Sequence, residues 1–269
     1  MTAFPYTRLN DDLPRLGLVV LQVDETIEDD FRRLFPPRIA RLHVTRVPSG
    51  AELTPDTIAD LERALPDAAR LLPATQPLDM VGYACTSGAT LIGADRVRGL
   101  VTGATPTRAV TDPLTAALAQ CGRLGLTRVE IAAPYIAYVA EPIHAAFETE
   151  GVAVPDTLSF GERVEARVAR IAPNSIADAA RVLDAVFLSC TNLCALGILA
   201  PLTQELGLPV LNSNQCPAAR MGALTNVAPL SLVTEAARMQ LQQEPKAGPR
   251  QALNATCTFR RTMPEDIEN

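Results

Sequence analysis

The chain has 269 residues, 48% of them hydrophobic and 20% charged, which is enough apolar material for one large α/β domain or two ordinary lobes. Tryptophan is absent and aromatics make up only 4%, so the core has to be aliphatic. A net charge of −6 with no Lys/Arg block argues against a nucleic-acid partner, and no apolar run reaches the roughly 18 residues of a membrane span.

The first eight residues lack the apolar core of a signal peptide, so a cytoplasmic address is expected. Residues 16–21, Leu-Gly-Leu-Val-Val-Leu, form a short continuous apolar run, the pattern of a strand covered on both faces. After a loop over 22–25, Thr26 is placed to cap a helix reaching Phe35, with Asp29 as its acidic partner, and Pro36 and Pro37 stop it. Residues 41–47 alternate apolar and polar, as a strand nearer a sheet edge does. Thr54-Pro55-Asp56 starts a helix to about Leu72, with Pro66 a kink point. A third strand over 78–84 ends at Cys85, and Ser87 to about Leu100 is expected to be helical.

A weak strand at 108–110 and a helix at 113–122 follow, then a clearer strand at 128–133 and a helix from Ile136 to Glu150. A short strand is expected at 151–154, helical pieces broken at Pro173 over 164–183, and a strand at 185–189 that delivers Cys190. The last elements are a helix over 193–206, a strand at 208–211 and a helical region over 218–242 interrupted at Pro229; from Lys246 the chain reads as a polar tail. Strands alternating with helices at short spacing specify an α/β fold with parallel sheets. The repeated strand–Cys–Thr–polar motif suggests two pseudo-symmetric lobes with the active-site cleft between them. Residues 1–112 plus 215–245 are assigned to the first lobe, 113–214 to the second and 246–269 to the tail.

Six cysteines form an even set, but a cytosolic chain of this size is kept reduced. There is no C-x-x-C pair, and His43 and His144 lie in separate segments, so no metal site is expected. Neither a G-x-G-x-x-G motif nor a phosphate loop occurs, which disfavours a nucleotide-dependent enzyme. A thiol at the start of a helix meets the positive end of the dipole and free backbone N–H groups, both of which favour the thiolate. The same N–H groups, with Thr86, Ser87, Thr191 and Asn192, suit a substrate carboxylate. Two thiols opposed across a small carboxylate allow one to remove a proton while the other delivers one. They equally allow one to add to an alkene while the other protonates the next carbon. A lone strand-end cysteine would read as core packing; the repetition makes Cys85 and Cys190 the catalytic candidates. Cys194, one helical turn past Cys190, is expected to pack in the core, and Cys121, Cys216 and Cys257 to be inert.

Tyr83-Ala-Cys-Thr-Ser-Gly-Ala-Thr90 and Ser189-Cys-Thr-Asn-Leu193 resemble the two cysteine motifs of the aspartate/glutamate racemase superfamily, with closer likeness to its maleate cis–trans isomerase and arylmalonate decarboxylase branch. The likeness extends through residues 17–28, 131–136 and 201–215. It implies a cofactor-free enzyme, usually a homodimer or a dimer of dimers, with its site between the lobes and a small carboxylate as substrate. It also implies Cys85 as nucleophile, Cys190 as acid, Tyr135 as a donor to a substrate carboxylate and Asp24 as a substrate-facing residue. Maleate isomerases carry asparagine at the position of Asp24, and none of the residues around 161–163 matches a second asparagine found there. Amino-acid racemases carry histidine where this chain has Asn192. The decarboxylases carry glycine at the position of Cys85, which favours an isomerase or racemase over a decarboxylase. A non-catalytic carboxylate-binding module is the third reading.

Overall fold

The computed structural model describes residues 4–8 and 12–230. Two four-stranded parallel sheets carry the fold. The first is built from β1 (Arg15–Leu21), β2 (Arg41–Val47), β3 (Met80–Ala84) and β4 (Val110–Thr111), in the order β2-β1-β3-β4. The second is built from β5 (Glu130–Tyr135), β6 (Thr157–Glu162), β7 (Val186–Leu188) and β8 (Val210–Asn212), in the order β6-β5-β7-β8. The two orders are the same pattern applied twice, so β3 and β7 are equivalent strands. β1 alternates its side chains between two cores, as a strand of period two must. Leu16, Leu18 and Val20 join a core shared with the second lobe, whereas Val19 and Leu21 join one under α2 (Pro55–Arg70) and α4 (Ala94–Ala104).

The remaining helices are α1 (Ile27–Leu34), α3 (Thr86–Ile92), α5 (Pro113–Leu124), α6 (Ala137–Thr149), α7 (Glu165–Val168), α8 (Pro173–Arg181), α9 (Leu199–Leu206) and α10 (Gln215–Thr225). The strong start signals operate as their chemistry dictates. Thr54 and Thr57 form a reciprocal capping box before α2, and the Asp112 side chain accepts the Thr115 N–H at 2.9 Å ahead of α5. Pro66 and Pro142 lie inside helices. α3 packs against α6, and α10 against α5, which closes the lobes upon one another.

Several expectations need correction. Thr26 makes no side-chain cap to α1; Asp24 Oδ1 accepts the N–H groups of Thr26 (2.8 Å) and Ile27 (2.9 Å) instead. The helix expected after Cys85 breaks at Gly93, whose φ of 93° suits glycine and ends α3. Residues 151–154 make only the bridge Arg128–Ala153, and the edge strand is β6, whose half-buried side chains give weak periodicity. The stretch 190–195 is a turn, and helical structure resumes only at a 3-10 turn over Leu196–Ile198. The expected helix beyond residue 230, the tail and Cys257 lie outside the described residues. No described helix is long and apolar enough to cross a membrane.

Candidate active site

Both cysteine motifs end at the same level of equivalent strands. Cys85 follows β3 and is the N-cap of α3, accepting the Gly88 N–H on Sγ at 3.2 Å, with Ser87 Oγ at 3.5 Å. That is the helix-start geometry expected of a thiol whose ionised form is favoured. Burial nevertheless dominates. With the side chain enclosed, desolvation pushes the Cys85 thiol up to about 11; the Ser87 and Gly88 hydrogen bonds pull it down, and nearby Glu165 and Asp24 push it up again. The expectation of a lowered pKa therefore fails at Cys85.

Cys190 follows β7 in a turn rather than at a helix start, so no helix dipole acts on it. Its Sγ accepts the Asn192 N–H at 3.3 Å and is hydrogen-bonded by the Tyr135 hydroxyl. Burial, then the Glu165 charge, raises its pKa well above the ordinary thiol value. Its own N–H donates to Ser213 Oγ at 3.0 Å, and Ser213 in turn receives the Thr86 hydroxyl at 2.8 Å. A second link runs from the Thr191 hydroxyl to the Ala84 carbonyl oxygen at 3.4 Å. Side chains of each motif thus reach across to the other, and the two thiols belong to one site.

Around them stand two buried carboxylic acids. Asp24, 3% exposed, spends Oδ1 on the start of α1 while Oδ2 has no hydrogen-bond partner among the described residues. The Thr191 hydroxyl lies close enough to ease the pKa rise that burial gives Asp24, but its bond goes to Ala84. Glu165, 4% exposed at the start of α7, is the residue that sequence reasoning missed. Its local sequence reads as an ordinary solvated helix-start acid, and only tertiary contacts bury it. Burial raises its pKa to about 7, the Asn192 side chain lowers it, and Asp24 raises it further. Its charge acts on Cys85, Cys190 and Tyr135 alike.

The other predicted residues fall into two groups. Tyr135, at the end of β5, is hydrogen-bonded to Cys190. Thr86 and Asn192 are at the site, but their side chains are committed to the protein. Asn192 Oδ1 accepts the Glu25 N–H at 2.9 Å and its Nδ2 donates to the Glu165 carbonyl oxygen at 3.0 Å. For a ligand these positions offer backbone N–H groups; those of Thr86, Ser87 and Thr191 have no acceptor among the described residues. Cys194 is exposed, contrary to the expected core position, because the chain there is a turn and not a helix. Cys121 and Cys216 are buried, and no metal-ligating cluster occurs among the described residues.

A cavity of about 260 Å³ is lined by Leu53 and Thr54, which precede and cap α2, and by Val139 of α6 and Val168 of α7. Tyr135 and Glu165 also line it, whereas neither Cys85 nor Cys190 does.

No protein-family model and no curated protein matches the chain. Solved structures do. A serine-for-cysteine mutant of Nocardia farcinica maleate cis–trans isomerase with a covalently bound succinylcysteine intermediate superposes with a TM-score of 0.71 at 22% identity, covering 86% of this chain and 100% of that one. The maleate isomerase Iso from Pseudomonas putida S16, an alanine-for-cysteine variant with maleate, gives 0.68 at 19%, covering 80% and 93%. A double mutant of arylmalonate decarboxylase in its liganded form gives 0.69 at 25%, covering 79% and 92%. An α/β architecture of two parallel four-stranded sheets flanked by helices is shared with these enzymes. The chain has the fold of the maleate isomerase and arylmalonate decarboxylase branch of the aspartate/glutamate racemase superfamily.

Proposed function

We propose that the protein is a cofactor-independent isomerase or racemase of a small carboxylate, with Cys85 and Cys190 as its two reacting groups. One observation carries the reading: the two thiols follow equivalent strands of sheets with the same strand order, Tyr135 is hydrogen-bonded to Cys190, and the Glu165 charge acts on both thiols. Backbone N–H groups of Thr86, Ser87 and Thr191 supply donors for the substrate carboxylate, and Tyr135 supplies a hydroxyl beside Cys190. Asp24 and Glu165 set the charge that the substrate meets. Two buried acids beside two thiols make a second substrate carboxylate costly, so a monocarboxylate, or one that also carries an ammonium group, suits the site better than a dianion.

For a racemisation, one sulfur takes the proton from the carbon next to the carboxylate and the other returns a proton on the opposite face. Each sulfur ends in the state its partner began in. For a cis–trans isomerisation, one sulfur adds to an alkene carbon, the neighbouring carbon takes a proton from the other, the new single bond rotates, and both steps reverse. Incubating small carboxylates in D2O separates the readings. Racemisation incorporates deuterium without releasing CO2, whereas CO2 release would assign the chemistry of the decarboxylases and overturn the proposal. Turnover is expected to survive chelators and to be lost on alkylation of one thiol, with substrate protecting. Loss to chelators alone would sink the cofactor-free claim.

A further inference from the structure

Tyr83 lies two residues before Cys85 on β3, on the same face of the strand, and is 1% exposed. Its hydroxyl makes no hydrogen bond of full geometry among the described residues, and Cys85 is the group close enough to act on it as a hydrogen-bond partner. A buried phenol normally bonds to something, because leaving the donor unpaired carries the full desolvation cost. Gly88 shows where the hydroxyl points. A methyl group added at Gly88 would stand 2.5 Å from Tyr83 Oη, 3.0 Å from Cys85 Sγ and 3.3 Å from Cys85 Cβ. The phenol oxygen and the sulfur therefore border one small space, which is open because residue 88 has no side chain.

We propose that Tyr83 is the positioning residue of Cys85, its buried hydroxyl turning onto the sulfur as the thiol ionises. With the thiol protonated, Sγ accepts the Gly88 N–H and lies 3.5 Å from Ser87 Oγ, and the phenol beside it makes no bond of full geometry. Once the proton has left for the substrate or for solvent, the sulfur becomes a strong acceptor and the phenol supplies a third donor in a water-free space. The phenol keeps its own proton throughout. Burial, then the charge of Cys85 and its hydrogen bond to the phenol, then the Asp112 charge, hold its pKa well above 10. The ionisable groups acting on this pair are Asp112 at the start of α5, with Arg220 of α10 acting on it in turn, Asp24 after β1, Glu165 of α7 and Tyr135 of β5. Apart from Arg220 these are acids or phenols, so ionising Cys85 among them needs every donor available.

This inference rests on reading Cys85 as a reacting thiol, but its test needs no substrate. The alkylation rate of each cysteine by iodoacetamide is followed by peptide mass spectrometry as a function of pH, in wild type and in Tyr83→Phe. The midpoint for Cys85 is expected to move up by about one pH unit in the variant, a tenfold slower reaction at fixed pH, while that for Cys190 stays in place. Superimposable Cys85 profiles, equal shifts at both cysteines, or a Cys85 that reacts at no pH would overturn the proposal. Replacing Tyr83 by 3-fluorotyrosine keeps the shape and strengthens the donor. It is expected to move the Cys85 midpoint down, so the question stays answerable even where Tyr83→Phe does not fold. A protein that turns over no carboxylate but shows both shifts would refute the proposed function and leave the role of Tyr83 standing.

Discussion

The side-chain amide of Asn192 donates to the Glu165 carbonyl oxygen at 3.0 Å while the Asn192 backbone N–H points at Cys190 Sγ at 3.3 Å. With Oδ1 on the Glu25 N–H, one buried residue ties the loop after β1, the start of α7 and the second cysteine motif together. Asn192→Ala leaves the Glu25 N–H without its partner and takes a donor from both the carbonyl and the carboxyl of Glu165 in a buried setting. It is expected to cost about 2–4 kcal/mol in denaturant unfolding, where a surface substitution would cost under about 0.5 kcal/mol. A loss in the surface range would mean that the Asn192 bonds contribute little to holding these segments together.

Glu165 gives the stability a defined pH slope. Its carboxyl titrates near 7 in the folded protein against an ordinary value near 4.5, so the folded state holds the proton more tightly. Its contribution is fully present below about 4.5 and is lost as pH rises through 7. Glu165→Gln removes that slope. The variant is expected to gain on wild type across this window, by up to roughly 3 kcal/mol above pH 7. Parallel unfolding curves for the two proteins from pH 4 to 8 would refute the burial-driven shift. Asp30, raised by burial to about 6, adds a smaller slope of the same sign in both proteins.

Asp24 is expected to discriminate against dianions. Asp24→Asn keeps an oxygen for the N–H groups of Thr26 and Ile27 and removes the charge at the partnerless Oδ2. In a Cys85→Ser background that prevents turnover, calorimetry should show maleate binding at least tenfold tighter in the Asn variant at pH 7, with propionate little changed. Equal affinities would mean that Asp24 does not face the ligand.

At Gly88 two rules compete. Alanine improves helix propensity by about 1 kcal/mol, but its methyl would sit 2.5 Å from Tyr83 Oη. Overpacking of an enclosed space is the larger effect, and Gly88→Ala is expected to destabilise the protein by about 1–3 kcal/mol. Thermal melting checks the sign.

What could be read in the chain was what strand ends and caps announce locally. Leu16 to Leu21, Met80 to Ala84 and Val186 to Leu188 are apolar runs with no other use, and each delivers its site residue to the same end of a sheet. The Thr54 and Asp112 helix starts are equally local. Glu165 was not legible, because nothing around it in sequence distinguishes it from a solvated acid; the carbonyl of Ala51 and the amide of Asn192 bury it from elsewhere in the chain. The thiol pKa values were misread for a related reason. A helix start is visible in sequence, but the desolvation that outweighs it at Cys85 is a property of the closed lobes. At Cys190 even the helix start was absent, because its neighbours spend their polar groups on the other lobe and hold the chain in a turn.

The repeated strand order puts equivalent thiols on the two sides of the cleft, yet their settings differ: Cys85 opens a helix and Cys190 sits in a turn beside a tyrosine. A reaction that interconverts mirror images has an equilibrium constant of one, however unequal the groups that catalyse it. Any advantage in kcat for one enantiomer must then be cancelled by an equal disadvantage in KM. The hand that departs fastest is the hand held most loosely, and the ratio of the two specificity constants is fixed at unity while each separate constant is free to diverge.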